Sequence, residues 1–85
     1  MTEEEKVKVW FEGEIYKEGD VVTNPLSGES CKLNNIELSL YDFIIGDQIC
    51  YANDVELTKH DIETYECCID YFLDNNQDAY MKLLD

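Results

Sequence analysis

The chain has no arginine, a single histidine and a single proline among its 85 residues. Six lysines face 20 acidic residues, giving a formal net charge of −14. Charge of one sign limits the partners a protein can meet. Nucleic acid and anionic membrane are repelled, and basic protein surfaces are attracted. Catalysis also finds no foothold. There is no glycine-rich phosphate loop and no G-x-S-x-G nucleophile motif. An 85-residue chain leaves little room for the ~300 Å³ pocket that would tune a pair of carboxylates. The reading is therefore of a non-enzymatic protein without catalytic residues or cofactor.

Other absences bound the setting. No apolar run approaches the ~18 residues of a membrane span. The start, Met1-Thr2-Glu3-Glu4-Glu5, is acidic where a secretory signal is basic. A cytoplasmic protein is expected. Four cysteines are present, Cys31, Cys50, Cys67 and Cys68. Adjacent Cys67 and Cys68 do not readily bridge each other in a helix, so all four read as reduced thiols. With His60 they supply enough zinc ligands in number, but no C-x2-C or H-x3-H spacing preorganises them. They read as small buried hydrophobes, His60 as a surface residue, and no metal site is expected.

What is present is globular. Hydrophobic residues make up 45% and aromatics 12%, too much apolar content for a disordered acidic tail. The length suits one domain, 1–85, burying about two-thirds of its unfolded surface. Residues 1–6 read as a frayed polar lead. Residues 7–33 read as β-rich. Val7, Val9 and Phe11 alternate with Lys8 and Trp10, Val21-Val22-Thr23 makes a further short strand, and Asn24-Pro25-Leu26-Ser27-Gly28 is a loop.

Residues 34–85 read as helical. Asn34 with Glu37 forms a variant capping box. Ile36, Leu40, Phe43 and Ile44 mark one face, and Leu38, Tyr41, Ile45 and Ile49 an adjoining one. That predicts a helix covered on both sides, with Gly46 admitting a close neighbour. Thr58 caps a second helix, whose apolar stripe is Ile62, Tyr65, Ile69, Phe72 and Leu73. Gln77–Leu84 makes a short last helix docking through Tyr80, Leu83 and Leu84. The predicted fold class is α+β: a small N-terminal antiparallel β-sheet of two or three short strands packed on a C-terminal two-to-three-helix unit.

The negative charge is dense in the helical part. Between Asn34 and Tyr80 there are eleven carboxylates and one basic residue, Lys59. Glu63, Glu66, Asp70 and Asp74 form a row on the second helix, ~16 Å long at 1.5 Å per residue. The functional reading is a row of fixed charges for a basic surface, or one that mimics a phosphate backbone. The ordinary reading is a solvated face, since like charges at i,i+4 cost only a few tenths of a kcal/mol. A solvated face usually mixes signs, and this one does not. Tyr71 lies off the predicted stripe and reads as an exposed anchor, as does whichever of Trp10 and Phe11 faces outward. Asp74–Asp85 places oxygen-bearing residues at positions 1, 3, 5 and 12 of a calcium loop. Ala79 in place of the turn glycine, Lys82 at position 9 and the missing exit helix argue against calcium.

Three strings carry a resemblance: Gly19-Asp20-Val21-Val22-x-Asn24-Pro25-Leu26-Ser27-Gly28, Glu37-Leu38-x-x-Tyr41-Asp42-x-Ile44-x-Gly46 and Phe72-x-x-Asn75-Asn76-x-x-Ala79-Tyr80-Met81-x-Leu83-Leu84-Asp85. Together they resemble small acidic uncharacterised proteins of tailed marine cyanophages. The resemblance implies a phage product acting in the host bacterial cytoplasm, or packaged in the virion, and it transfers no functional residue. Asn75-Asn76-Gln77 departs from it where a proline would open the last helix. The expected function is a small acidic module that docks a basic surface of a host or phage protein. The alternatives are a nucleic-acid mimic that inhibits a DNA- or RNA-binding protein, and a minor structural or virion protein.

Self-repulsion among the carboxylates opposes compaction at low salt. The melting temperature should rise with NaCl up to roughly 0.3 M, where the Debye length is about 6 Å. A flat or falling response in a thermal scan would contradict a concentrated negative surface.

Overall fold

A computed structural model describes residues 2–84. Its first element is a helix, α1 (Glu3–Lys8). The Thr2 hydroxyl accepts from the Glu5 N–H at 3.2 Å, and the Glu5 carboxylate accepts from the Thr2 N–H at 3.3 Å. Three glutamates in the first turn and Lys6 and Lys8 in the last suit the helix dipole. The frayed lead and the Val7–Phe11 strand are both corrected by this. Val7 and Phe11 are buried, whereas Val9 between them is 76% exposed. The pair is spaced i,i+4 and shares one side of a helical turn, with Phe11 N–H donating to the Val7 carbonyl at 2.8 Å. The Phe11 ring packs edge-on against Phe43, with centroids 5.7 Å apart.

Glu12–Gly19 runs without regular structure to a hairpin. Strands β1 (Asp20–Thr23) and β2 (Ser30–Leu33) pair antiparallel, Asp20 opposite Leu33 and Thr23 opposite Ser30. A Cβ at Gly19 would lie 2.0 Å from the Leu33 carbonyl oxygen, so only glycine fits there. The fold is α+β with a two-stranded antiparallel sheet. Of the predicted β-rich region, only the hairpin is sheet.

Helix α2 (Asn35–Ala52) starts at the predicted box. Ile36, Leu40 and Ile44 are buried along one line. Cover on the adjoining face includes Leu38 and Tyr41 but stops before Ile49, which is 57% exposed. Gly46 is also corrected. It is exposed, and a Cβ there would meet nothing within 4 Å. Its ~1 kcal/mol helix cost relative to alanine is not offset by packing.

Helix α3 (Lys59–Asn75) is capped by Thr58 with Asp61 as predicted. Its buried line is Thr64, Cys68 and Phe72, while Ile62 and Leu73 are largely exposed. That line lies roughly 90° around the helix from the predicted stripe, at 3.6 residues per turn. The N-terminal segment is the reason. Trp10 borders Cys67 and Tyr71, and so covers a side of α3 that no strand reaches. The chain ends in α4 (Gln77–Ala79) and one wide turn, Tyr80–Leu84, which buries Leu83 and partly buries Tyr80 and Leu84. Among the described residues no helix is long and apolar enough to cross a membrane.

One buried carboxylate joins these pieces. Glu37 Oε1 accepts from the Asn34 N–H at 2.9 Å, and Oε2 accepts from Asn76 Nδ2 at 3.0 Å. Asn76 Oδ1 in turn accepts from the Ala79 N–H at 3.2 Å. Glu37→Ala would leave both donors without their partner. The loss should be about 2–4 kcal/mol, since bonds to charged groups contribute about 1.5–3 kcal/mol each and are not additive. The urea midpoint measures it, and a change below about 0.5 kcal/mol would show that the carboxylate is dispensable.

Candidate functional site

The acidic row forms because α3 turns its core-facing line inward. Glu63, Glu66, Asp70 and Asp74 are all exposed. They centre roughly 150° from the Thr64–Cys68–Phe72 line and so point straight outward. Among the described residues, the one ion pair on the row is Lys59–Glu63, 3.8 Å apart and exposed. Such a pair contributes little and leaves the row negative. Carboxylates are exposed on other elements too, including Glu3, Glu4 and Glu5 on α1 and Asp20 on β1. The row is distinguished by regular spacing on one rigid helix rather than by a monopoly of charge.

Tyr71 is half-buried, with its ring packed on the core. It lines a shallow groove of about 240 Å³ with Trp10, Cys67, Asp70, Asp74 and Asn75. Burial, then the charge of Glu3 and a hydrogen bond to it, pushes its hydroxyl up to about 12. The anchor predicted as exposed is thus a groove wall, and Trp10 forms the opposite part of the same groove. His60 lies on the surface with Nε2 3.4 Å from Glu12 Oε2. His60 and Cys67 border one groove but are two helical turns apart, ~10 Å along the axis, and do not form a nucleophile–base couple. Cys68 is buried, and desolvation pushes its thiol up to about 12, which makes it a packing residue. Among the described residues no three His, Cys, Asp or Glu side chains converge as a metal site. Asp85, the twelfth position of the calcium-loop pattern, lies outside the described residues.

A second feature escaped the sequence reading. The buried line of α2 runs Ile36, Leu40, Ile44 and then Asp47. Asp47 is only 9% exposed, and its Oδ2 has no hydrogen-bond partner. Burial, with the charge of Asp61 second, raises its pKa above the usual carboxylate range. Asp47 lines a cleft of about 250 Å³ with Gln48, Tyr51, Leu57, Ile62 and Tyr65. Gln48 Nε2 donates to the Tyr65 hydroxyl at 3.3 Å, linking the two helices at its wall. Tyr51, Leu57 and Ile62 continue into an adjoining depression bordered by Asp54, Val55 and Glu56. The readable signal was spacing. Asp47 stands at i+3 from Ile44 and i+7 from Leu40, where a core residue belongs.

Compared with known proteins, the chain matches no family model, no curated protein and no solved structure. Its function is read from these residues alone.

The raised pKa of Asp47 has a definite sign. The folded protein holds this proton more tightly than the unfolded chain, so stability falls as pH rises from about 3.9, the unfolded value, through the raised one. Asp47→Asn removes that titration. The urea midpoints of variant and wild type should be close at pH 3 and diverge in the variant's favour towards pH 7. A gap independent of pH would show that Asp47 titrates normally.

Proposed function

We propose that the protein is a non-enzymatic acidic binding module that docks a basic surface of another protein. The single observation that carries this reading is the outward row Glu63–Glu66–Asp70–Asp74, in which, among the described residues, only Glu63 pairs with a lysine. The row is held on a helix of 17 residues, capped at its start and packed along its opposite side. The backbone that carries its charges therefore needs no ordering when a partner arrives, and only the side chains are fixed on binding. Fixed negative charge steers a cationic surface into encounter, and apolar contacts beside it prolong the complex. The groove of Trp10 and Tyr71 runs along one border of the row and supplies aromatic surface of the kind enriched at binding hot spots. The motif resemblance suggests a host or phage protein in the bacterial cytoplasm as the target.

A nucleic-acid mimic is the second reading. Four charges over ~16 Å stand ~5.5 Å apart, against ~3.4 Å in one DNA strand and ~1.7 Å in a duplex, so the row carries about 60% of the charge density of a strand and about a third of that of a duplex. Competition decides between the two, because a mimic's partner releases the protein when single-stranded or duplex DNA is added.

The partner is accessible by capture from bacterial lysate at 50 and 300 mM NaCl, with recovery expected at the lower salt. With that partner, Glu66→Lys/Asp70→Lys should slow association by about tenfold or more at low salt and flatten its salt dependence. Association rates unchanged by the double substitution would remove this face from the binding surface.

A further inference from the structure

Among the described residues, the cleft at Asp47 is the one place where a buried side-chain polar atom has no partner. Its lining combines three chemistries. Asp47 supplies a carboxylate oxygen, Tyr51 and Tyr65 supply aromatic rings, and Leu57 and Ile62 supply aliphatic surface. No lysine or histidine lines it, and Lys59, at the start of α3, is turned to Glu63. The cleft holds about 250 Å³ and opens into the adjoining depression of about 490 Å³, so a side chain can enter it while the backbone that carries it lies in the depression.

We propose that this cleft seats one arginine side chain of the cationic protein partner. The proposal rests on the docking reading above and names where the partner's chain is gripped.

Charge selects the occupant. An anion would meet Asp47, with Asp54 and Glu56 beside the adjoining depression. A neutral apolar side chain would lie against Asp47 with nothing to offer its carboxylate. A cation on an apolar stem answers both demands, because its stem lies on Leu57 and Ile62 while its head reaches the carboxylate. Guanidinium is preferred over ammonium on two counts. It is more weakly hydrated, so it leaves water at lower cost, and its flat face stacks on tyrosine rings. These 85 residues contain no arginine of their own to fill it. Position supports delivery. Ile62 immediately precedes Glu63, so the cleft opens beside the row that steers the partner.

The probe is the peptide acetyl-Gly-Leu-Arg-Leu-Gly-amide, titrated into isotopically labelled protein at 50 mM NaCl and followed by NMR. Its control carries citrulline, the uncharged isostere of arginine. Saturable shifts should centre on Asp47 and the Tyr51 and Tyr65 rings, with a Kd of roughly 1–10 mM for a single seated side chain. The citrulline peptide should bind at least tenfold more weakly, as should the arginine peptide to Asp47→Asn. Tyr51 is 78% exposed, so Tyr51→Ala keeps the fold and should weaken binding severalfold through the lost ring. Equal binding of the citrulline peptide, equal binding by Asp47→Asn, or no saturable shift at these nuclei would overturn the seat. Shifts confined to Glu63, Glu66, Asp70 and Asp74 would overturn the seat and leave the docking face standing. Partner association indifferent to Glu66 and Asp70, alongside intact shifts at Asp47, would do the reverse.

Discussion

The bidentate use of Glu37 holds the molecule together. One carboxylate closes the N-terminus of α2 and reaches across to Asn76, which caps the last segment. Those two points are 39 residues apart in the chain. A second tie, Asn24 Nδ2 to the Lys82 carbonyl at 3.0 Å, anchors the hairpin loop to the same C-terminal turn. The hydrophobic core supplies the bulk of the stabilisation, as it does in any small domain. It is not directional, however, and a core of ten buried apolar side chains does not by itself decide how a three-residue helix sits against a hairpin. The carboxylate decides it, because a charge nearly excluded from water is tolerable only where its oxygens are bonded.

Glu37 and Asp47 lie on the same helix, both largely out of water, and they differ in one respect. Glu37 has a donor on each oxygen, whereas Asp47 has an oxygen with none. The first is an architectural charge. The second opposes folding, since an unpaired buried polar group costs free energy that a leucine at the same position would not. Sequences usually agree with their folds at every level, and places where that agreement fails concentrate at functional sites. The failure here is local and coincides with the cleft, which is why the cleft is assigned a partner.

Legibility in the sequence followed the range of the interactions. Both long helices were readable at their starts, because Asn34 with Glu37 and Thr58 with Asp61 are contacts over three residues. The hairpin was readable around the Asn24–Gly28 loop for the same reason. The N-terminal helix was not, because Val7, Val9 and Phe11 satisfy a two-residue period as well as Val7 and Phe11 satisfy a four-residue one, and only tertiary burial separates the two. The α3 stripe was misplaced by that same error, since a helix there covers a side of α3 that a strand would have left open. The exposure of Glu63, Glu66, Asp70 and Asp74 was readable, because a charged side chain reaches water unless the fold buries it, as it does Glu37 and Asp47. Asp47 was one of eleven carboxylates in its region, and only its register with Leu40 and Ile44 set it apart.

The absence of arginine then takes on a second meaning. Every excess carboxylate raises the self-repulsion of the folded state, so the net charge that favours solubility also works against stability. A partner that brings positive charge removes part of that repulsion on binding. Its affinity therefore contains a term the isolated protein has stored against itself. The partner would also stabilise the fold by mass action, since the unfolded chain displays neither the row nor the cleft as an ordered surface. Net repulsion also opposes the association of one copy with another.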